Sequence, residues 1–208
     1  SSSFGLYTWM NNPESQMVAV TVRAGSKAEM ALPDGTFVHL NAATNLEYDV
    51  NNSKQRLVKL SGEAFFDVAK NPDCPFKVII NDLQIEVVGT SFNVKTYKKD
   101  IVETSLLSGR IRISGGSLPH EYTLSPGQKA TYSAMDRTLR ISKADAHVEA
   151  GWRDNYLIFE STPLIDVIAQ IERWYGVEIR LHHKQIAQDL LSGSFRNESI
   201  QNVIRSFL

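Results

Sequence analysis

The chain has 208 residues, 42% hydrophobic and 22% charged, with a net charge of −1. That length fits one or two domains with a full apolar core, and the near-neutral balance excludes the basic face that nucleic-acid binding requires. A single cysteine, Cys74, excludes an internal disulfide and a thiolate metal site.

From Val18 to about Ser142, short alternating runs separated by turn residues predict a succession of strands. The first seven are expected over Ala19–Ala24, Lys27–Leu32, Thr36–Asn41, Leu46–Val50, Gln55–Leu60, Glu63–Ala69 and Phe76–Ile80. Seven more follow over Leu83–Val88, Ser91–Tyr97, Ile101–Leu107, Arg110–Ser114, Glu121–Leu124, Gln128–Ser133 and Thr138–Ser142. Pro33-Asp34-Gly35, Asn51-Asn52-Ser53, Asn81-Asp82, Lys98-Lys99-Asp100, Ser108-Gly109 and Pro126-Gly127 supply turn chemistry between them. Strand parity places Ala64, Phe66 and Val68 on one face and Glu63, Phe65 and Asp67 on the other. Such a pattern implies an all-β antiparallel sandwich, roll or solenoid-like stack, and does not choose among the three.

Beyond about Asp145 the texture changes to β, α, β, then β, α. Thr162-Pro163 predicts a helix start, with Thr162 as N-cap and Pro163 in the first turn. Leu164, Val167, Ile168 and Ile171 form an apolar stripe that Gly176 ends. A second helix is expected from near Asn197, with Ile200, Val203, Ile204 and Phe207 repeating the first stripe at an offset of 36 residues. Strands over Tyr156–Glu160, Val177–Leu181 and Leu190–Arg196 complete a small βαββα module. The expected organisation is therefore a linker over residues 1–17, an all-β domain over 18–147 and a small α+β domain with an internal βα repeat over 148–208, its last element cut short.

Candidate chemistry fails on spacing. Glu63 and Asp67 lie about 13 Å apart on a regular strand, beyond the about 5–9.5 Å that glycosidase carboxylates need, so both are expected as solvated charges. His182 and His183 point to opposite faces of an extended chain and suit one metal ion poorly. His39, His120 and His147 stand without ligand or nucleophile spacing, and nucleophile-elbow, P-loop and dinucleotide glycine patterns are lacking. No catalytic, cofactor or metal site is expected. Trp152 is placed between the two domains; Trp174 and Tyr175, ending a helix, suit core packing or a protein interface.

No run of about 18 apolar residues occurs, and Ser1-Ser2-Ser3 does not open a secretory leader. Gly62-Glu63-Ala64-Phe65-Phe66-Asp67-Val68, Gly89-Thr90-Ser91-Phe92-Asn93-Val94, Leu107-Ser108-Gly109-Arg110-Ile111 and Ser125-Pro126-Gly127-Gln128 occur in order between Gly25 and Tyr132. Together they resemble the FecR family, whose members are transmembrane regulators of sigma factors. Gly151-Trp152-Arg153-Asp154, Phe159, Thr162-Pro163-Leu164 and Glu172-Arg173-Trp174-Tyr175-Gly176-Val177 look like the C-terminal domain of Bacteroidetes FecR-like regulators, similar to the short secretin/TonB N-terminal fold.

The resemblance implies a non-enzymatic, periplasmic signal-receiving region of a single-pass inner-membrane anti-sigma factor. Its partners would be the signalling domain of a TonB-dependent outer-membrane transducer and, through a cytosolic segment absent here, an extracytoplasmic-function sigma factor. The membrane would be met only through a helix outside this sequence. An open sheet edge can accept a partner strand, which makes Val177, Glu178, Ile179, Arg180 and Leu181, with Trp174 and Tyr175, the candidate partner-binding residues; Leu190–Arg196 is the other candidate edge. An alternative is a secreted or periplasmic carbohydrate-binding β module that uses Phe65, Tyr48 and Tyr97 as exposed platforms.

Overall fold

A computed structural model describes residues 16–50 and 56–207. The Asn51-Asn52-Ser53 turn and most of the expected N-terminal linker lie outside the described residues. In chain order the first seven strands are β1 (Met17–Val22), β2 (Ala28–Ala31), β3 (Phe37–Leu40), β4 (Thr44–Asp49), β5 (Arg56–Ser61), β6 (Glu63–Asp67) and β7 (Phe76–Ile80). The next seven are β8 (Leu83–Val87), β9 (Ser91–Lys95), β10 (Ile101–Ser108), β11 (Ile111–Gly115), β12 (Tyr122–Leu124), β13 (Gln128–Ser133) and β14 (Thr138–Lys143).

These strands form two seven-stranded sheets, so of the three expected architectures the chain adopts the sandwich. One sheet runs β1-β4-β5-β7-β8-β11-β12 and the other β14-β13-β10-β9-β6-β3-β2. Neighbours are antiparallel except β5 and β7, which pair in parallel from Arg56 opposite Phe76 to Lys59 opposite Ile79. Period-two burial produces the core. Phe76, Val78 and Ile80 of β7 alternate inward with Leu83, Ile85 and Val87 of β8, and Phe66 stacks on Phe92 with ring centroids 5.2 Å apart.

One buried cation bolts the rim of this core. Arg56, whose side chain is 2% exposed, donates from Nε to Asp34 Oδ2 at 2.6 Å and from its terminal nitrogens to the carbonyls of Cys74 and Ala69 and to Thr36 Oγ1. Thus the Pro33-Asp34-Gly35 turn also supplies the counter-charge of a desolvated guanidinium.

The C-terminal part comprises α1 (Ala146–Ala150), a 3₁₀ turn over Gly151–Asp154, β15 (Tyr156–Pro163), α2 (Leu164–Tyr175), a second 3₁₀ turn over Lys184–Gln188, β16 (Leu190–Arg196) and α3 (Ile200–Arg205). β15 and β16 form a two-stranded antiparallel ladder with an irregularity between Phe159 and Thr162. Leu157, Phe159, Val167, Ile171 and Val203 make its core, with Phe195 and Phe207 packed against them. The 36-residue repeat holds in three dimensions: α2 and α3 start at Leu164 and Ile200, and Val167 and Val203 are both fully buried. It departs at one pair, since Ile168 is 8% exposed and Ile204 38%.

Three local expectations are corrected. The N-cap position of α2 is Pro163, while the Thr162 hydroxyl bonds the backbone of Glu160 instead. The cap of α3 is Ser199, which accepts from Asn202 N, and Asn197 sits in a left-handed turn before it. Val177–Leu181 is not a strand: after Gly176 ends α2 in the left-handed region, the Val177 and Ile179 amides both turn back to Glu172, to its carbonyl at 3.2 Å and its carboxylate at 2.7 Å. Those donors are satisfied locally, so no ladder forms on that side.

Candidate functional site: the joint between sandwich and C-terminal part

Strand parity sends Glu63 and Phe65 to the outer face of the second sheet, where solvent would be expected. Both are buried, at 7% and 3% exposure, because α1 and the turn after it lie across that face. Glu63 is therefore not the solvated carboxylate its sequence suggests, whereas Asp67 stays exposed and accepts from Ser91 Oγ. Asn41 donates to one Glu63 oxygen at 2.7 Å and Asn93 to the other at 3.0 Å. The Asn93 side-chain oxygen, Oδ1, then accepts from the indole N–H of Trp152 at 3.1 Å. A hydrogen-bonded chain thus runs from a sandwich carboxylate into the C-terminal part, and both carboxylate oxygens are occupied. Phe65, Ala150 and Trp152 form a small apolar cluster beside it, and the Arg153 guanidinium lies 3.5 Å from the Phe65 ring centre.

Lys27, just before β2, is the second pillar. Its ammonium donates to the Trp152 carbonyl at 2.6 Å and to Asn155 Oδ1 at 3.0 Å, and sits 3.7 Å above the Trp174 ring. Burial pulls the Lys27 pKa down from its ordinary 10.5 to about 8, with the attraction of Glu63 opposing part of that. Between pH 8 and 10.5 the unfolded chain consequently holds more protons than the folded one, so this group makes stability rise with pH across that window. Burial and the Glu63 charge also push the Tyr97 phenol well up, so tyrosine ionisation in the unfolded chain opposes folding above about pH 10. Denaturant melts at pH 7.5 and 9.5 should show a gain in the wild-type chain that is lost in Lys27→Met.

A cleft of about 500 Å³ lies between the two parts. β15 presents Tyr156, Ile158 and Glu160 to it, and α2 presents Asp166 and Arg173. Its walls are cross-linked by charge. Lys98 meets Asp166 at 2.6 Å, and Lys129 meets Glu103 and Glu149 at 2.9 Å each. Burial alone would push Glu103 up and Lys129 down. The surrounding opposite charges, Lys95 and Lys129 for the acid and Glu103 and Glu149 for the base, reverse both shifts. The Arg173 guanidinium covers Tyr97, whose hydroxyl donates to the Ala42 carbonyl. Among the described residues no buried side-chain nitrogen or oxygen lacks a partner, and no group of three or more His, Cys, Asp and Glu is placed to hold a metal ion. The arrangement fastens two bodies together.

The sequence profile of the FecR protein family matches residues 18–112, and that of the FecR C-terminal region matches residues 156–207. A crystal structure of a candidate anti-sigma factor from Parabacteroides distasonis superimposes with a TM-score of 0.84 at 30% identity, covering 92% of this chain and 90% of that one. The chain belongs to the FecR family. A second crystal structure of a candidate anti-sigma factor from the same species gives a TM-score of 0.83 at 31% identity, over 91% of this FecR-family chain and 90% of its counterpart. No curated protein matches the chain. The family is one of regulatory proteins of a non-catalytic kind. Among the described residues no helix is long and apolar enough to cross a membrane.

Within this FecR-family chain the aromatic platform of the carbohydrate reading is dismantled. Phe65 is covered by Ala150 and Trp152, Tyr97 lies under Arg173, and Tyr48 is half-buried against the sandwich core. Trp152 occupies the joint, as its position between the halves implied. Trp174 borders both the C-terminal core and the joint, and the Tyr175 hydroxyl donates to the Glu198 carbonyl at 2.8 Å. Val177, Glu178 and Arg180 are exposed, Glu178 and Arg180 forming a 3.0 Å ion pair, while Ile179 packs on the C-terminal core and Leu181 is half-buried. The residues that sequence reasoning missed are Lys27, Asn41, Asn93 and Arg173. Only Asn93, an amide inside the run Phe92-Asn93-Val94, carries a signal, because a polar side chain mid-strand needs either solvent or a partner.

Proposed function

We propose that this chain is the periplasmic, signal-receiving region of a single-pass inner-membrane anti-sigma regulator. It binds the signalling domain of a TonB-dependent outer-membrane transducer and controls an extracytoplasmic-function sigma factor through a cytosolic segment outside this sequence. Family membership supports the regulatory role.

The observation that carries the docking site is the unequal satisfaction of the two sides of Val177–Leu181. In an extended chain alternate amides point to opposite sides. The Val177 and Ile179 amides are taken by Glu172, whereas those of Glu178 and Arg180 have no hydrogen-bond partner among the described residues. With the exposed Val177 side chain beside them, they offer main-chain donors and an apolar foothold to an incoming strand. Trp174 and Tyr175 fix the base of this edge, and β16, paired among the described residues only with β15, is the alternative edge.

Titration calorimetry between the chain and the signalling domain of the transducer encoded beside it should give a saturable complex. Arg180→Pro, which deletes one of the free donors, should weaken that complex tenfold or more with the melting temperature held. Absence of association with any neighbouring transducer domain would overturn the proposal. Association indifferent to Arg180→Pro but lost on a proline in β16 would move the site to the other edge.

A further inference from the structure

β1 is an edge strand. Among the described residues it pairs only with β4, from Met17 opposite Asp49 to Val22 opposite Thr44, and of its side chains only Val22 is buried. An edge strand with one ladder and little buried surface belongs to the low-stability end of a fold unless something else holds it. Here the chain leaving its inner end, Arg23–Lys27, closes one turn bond of its own, from the Ser26 amide to the Arg23 carbonyl, and through Gly25 and Lys27 bonds to the C-terminal part.

Three contacts meet there. The Gly25 amide donates to the Arg173 carbonyl at 2.8 Å, in the last turn of α2. Gly25 and Gly176, both at positive φ, touch backbone to backbone: a β-carbon on Gly25 would stand 3.2 Å from the Tyr175 carbonyl oxygen, and one on Gly176 3.2 Å from that of Ala24. At 3.2 Å a side chain at either position would press the facing backbone apart by a few tenths of an ångström, and the positive φ of both residues also favours glycine. Lys27 then reaches across to Trp152, Asn155 and Trp174. The same short connection therefore grips both the end of α2 and the turn that carries Trp152.

We infer that Arg23–Lys27 is a latch through which the C-terminal part sets the local stability of β1. Displacing the end of α2 withdraws the Arg173 acceptor, the Gly176 contact and the Trp174 ring together, and the strand then depends on its single ladder with β4. Val177 follows Gly176 directly, so a partner strand seated on Val177–Leu181 would act one residue from the latch. The latch itself is intramolecular and holds whichever partner docks; only its use in signalling rests on the function proposed above.

Hydrogen–deuterium exchange on the 208-residue chain tests it with two variants. Trp174→Leu removes the ring beneath Lys27 and is remote in sequence from β1; Lys27→Met keeps an unbranched side chain one heavy atom shorter and without donors. In both, β1 amides should exchange roughly tenfold faster or more, while β8 and β9 keep wild-type protection. Unchanged β1 exchange in Lys27→Met, or faster exchange confined to α2 in Trp174→Leu, would overturn the latch. An equal rise in every strand would do the same, since that reports global unfolding. None of these readouts involves the transducer domain, so failure of the latch and failure of the docking proposal are separately visible.

Discussion

Arg56→Ala should lower the unfolding free energy by about 3–5 kcal/mol, the range for breaking a buried ion pair by removing one partner. The side chain satisfies four acceptors, the Asp34 carboxylate, the Thr36 hydroxyl and the Cys74 and Ala69 carbonyls, and its guanidinium centre lies 5.5 Å from the Phe76 ring centre. Deleting it leaves a carboxylate at 15% side-chain exposure without its cation and takes one donor each from the Ala69 and Cys74 carbonyls. Arg56→Lys should recover little, because a single ammonium on a flexible stem cannot span an arc that the planar fork covers. Urea unfolding of the three proteins measures this; a loss below about 1 kcal/mol for the alanine variant would mean that water replaces the guanidinium at its acceptors.

The second large effect is expected at Trp152. Trp152→Ala should cost about 3–5 kcal/mol through lost packing against Phe65 and Ala150, and it leaves Asn93 Oδ1 without its indole donor. The manner of unfolding should change as well. Tyrosine and tryptophan fluorescence should separate from far-ultraviolet dichroism in thermal melts, as the C-terminal part loosens before the sandwich. Trp152→Phe isolates the polar link: the ring remains, the N–H is lost, and the cost should fall to about 1–2 kcal/mol. Coincident melts in the alanine variant would show that Lys27 and the cleft ion pairs hold the two parts together without the indole.

Strand positions were readable wherever alternation met turn chemistry. The strands expected over Phe76–Ile80 and Leu83–Val88, with Asn81-Asp82 between them, appear in the fold at Phe76–Ile80 and Leu83–Val87. Pairing was not readable. Nothing in Arg56–Ser61 announces a parallel neighbour at Phe76–Ile80, because period-two burial reports which face is covered and is silent about what lies alongside. The same blindness explains Glu63 and Phe65. Parity put them together on the face opposite Ala64, Phe66 and Val68 without telling which face is outer, and the cover comes from Ala146–Asp154, a five-residue helix and a 3₁₀ turn too short to show a helical stripe. Its one local sign is Asp145, which accepts from the His147 amide as an N-cap. At Val177–Leu181 alternation was present and the ladder was not, because the Glu172 main chain and carboxylate had already taken the amides of one side.

The apolar pair Phe65 and Leu107, with Glu63 and its two amide partners, gives the outer surface of one sheet a chemistry suited to a dry contact. The sandwich is therefore no interchangeable cassette. Grafting its C-terminal companion onto another two-sheet body would require carrying over this inlay of phenylalanine, asparagine and glutamate as well. Drift in the stretch between Lys143 and Asn155 is restrained from both sides, since a residue gained or lost there would swing Trp152 out of reach of Asn93 and strand the carboxylate behind it.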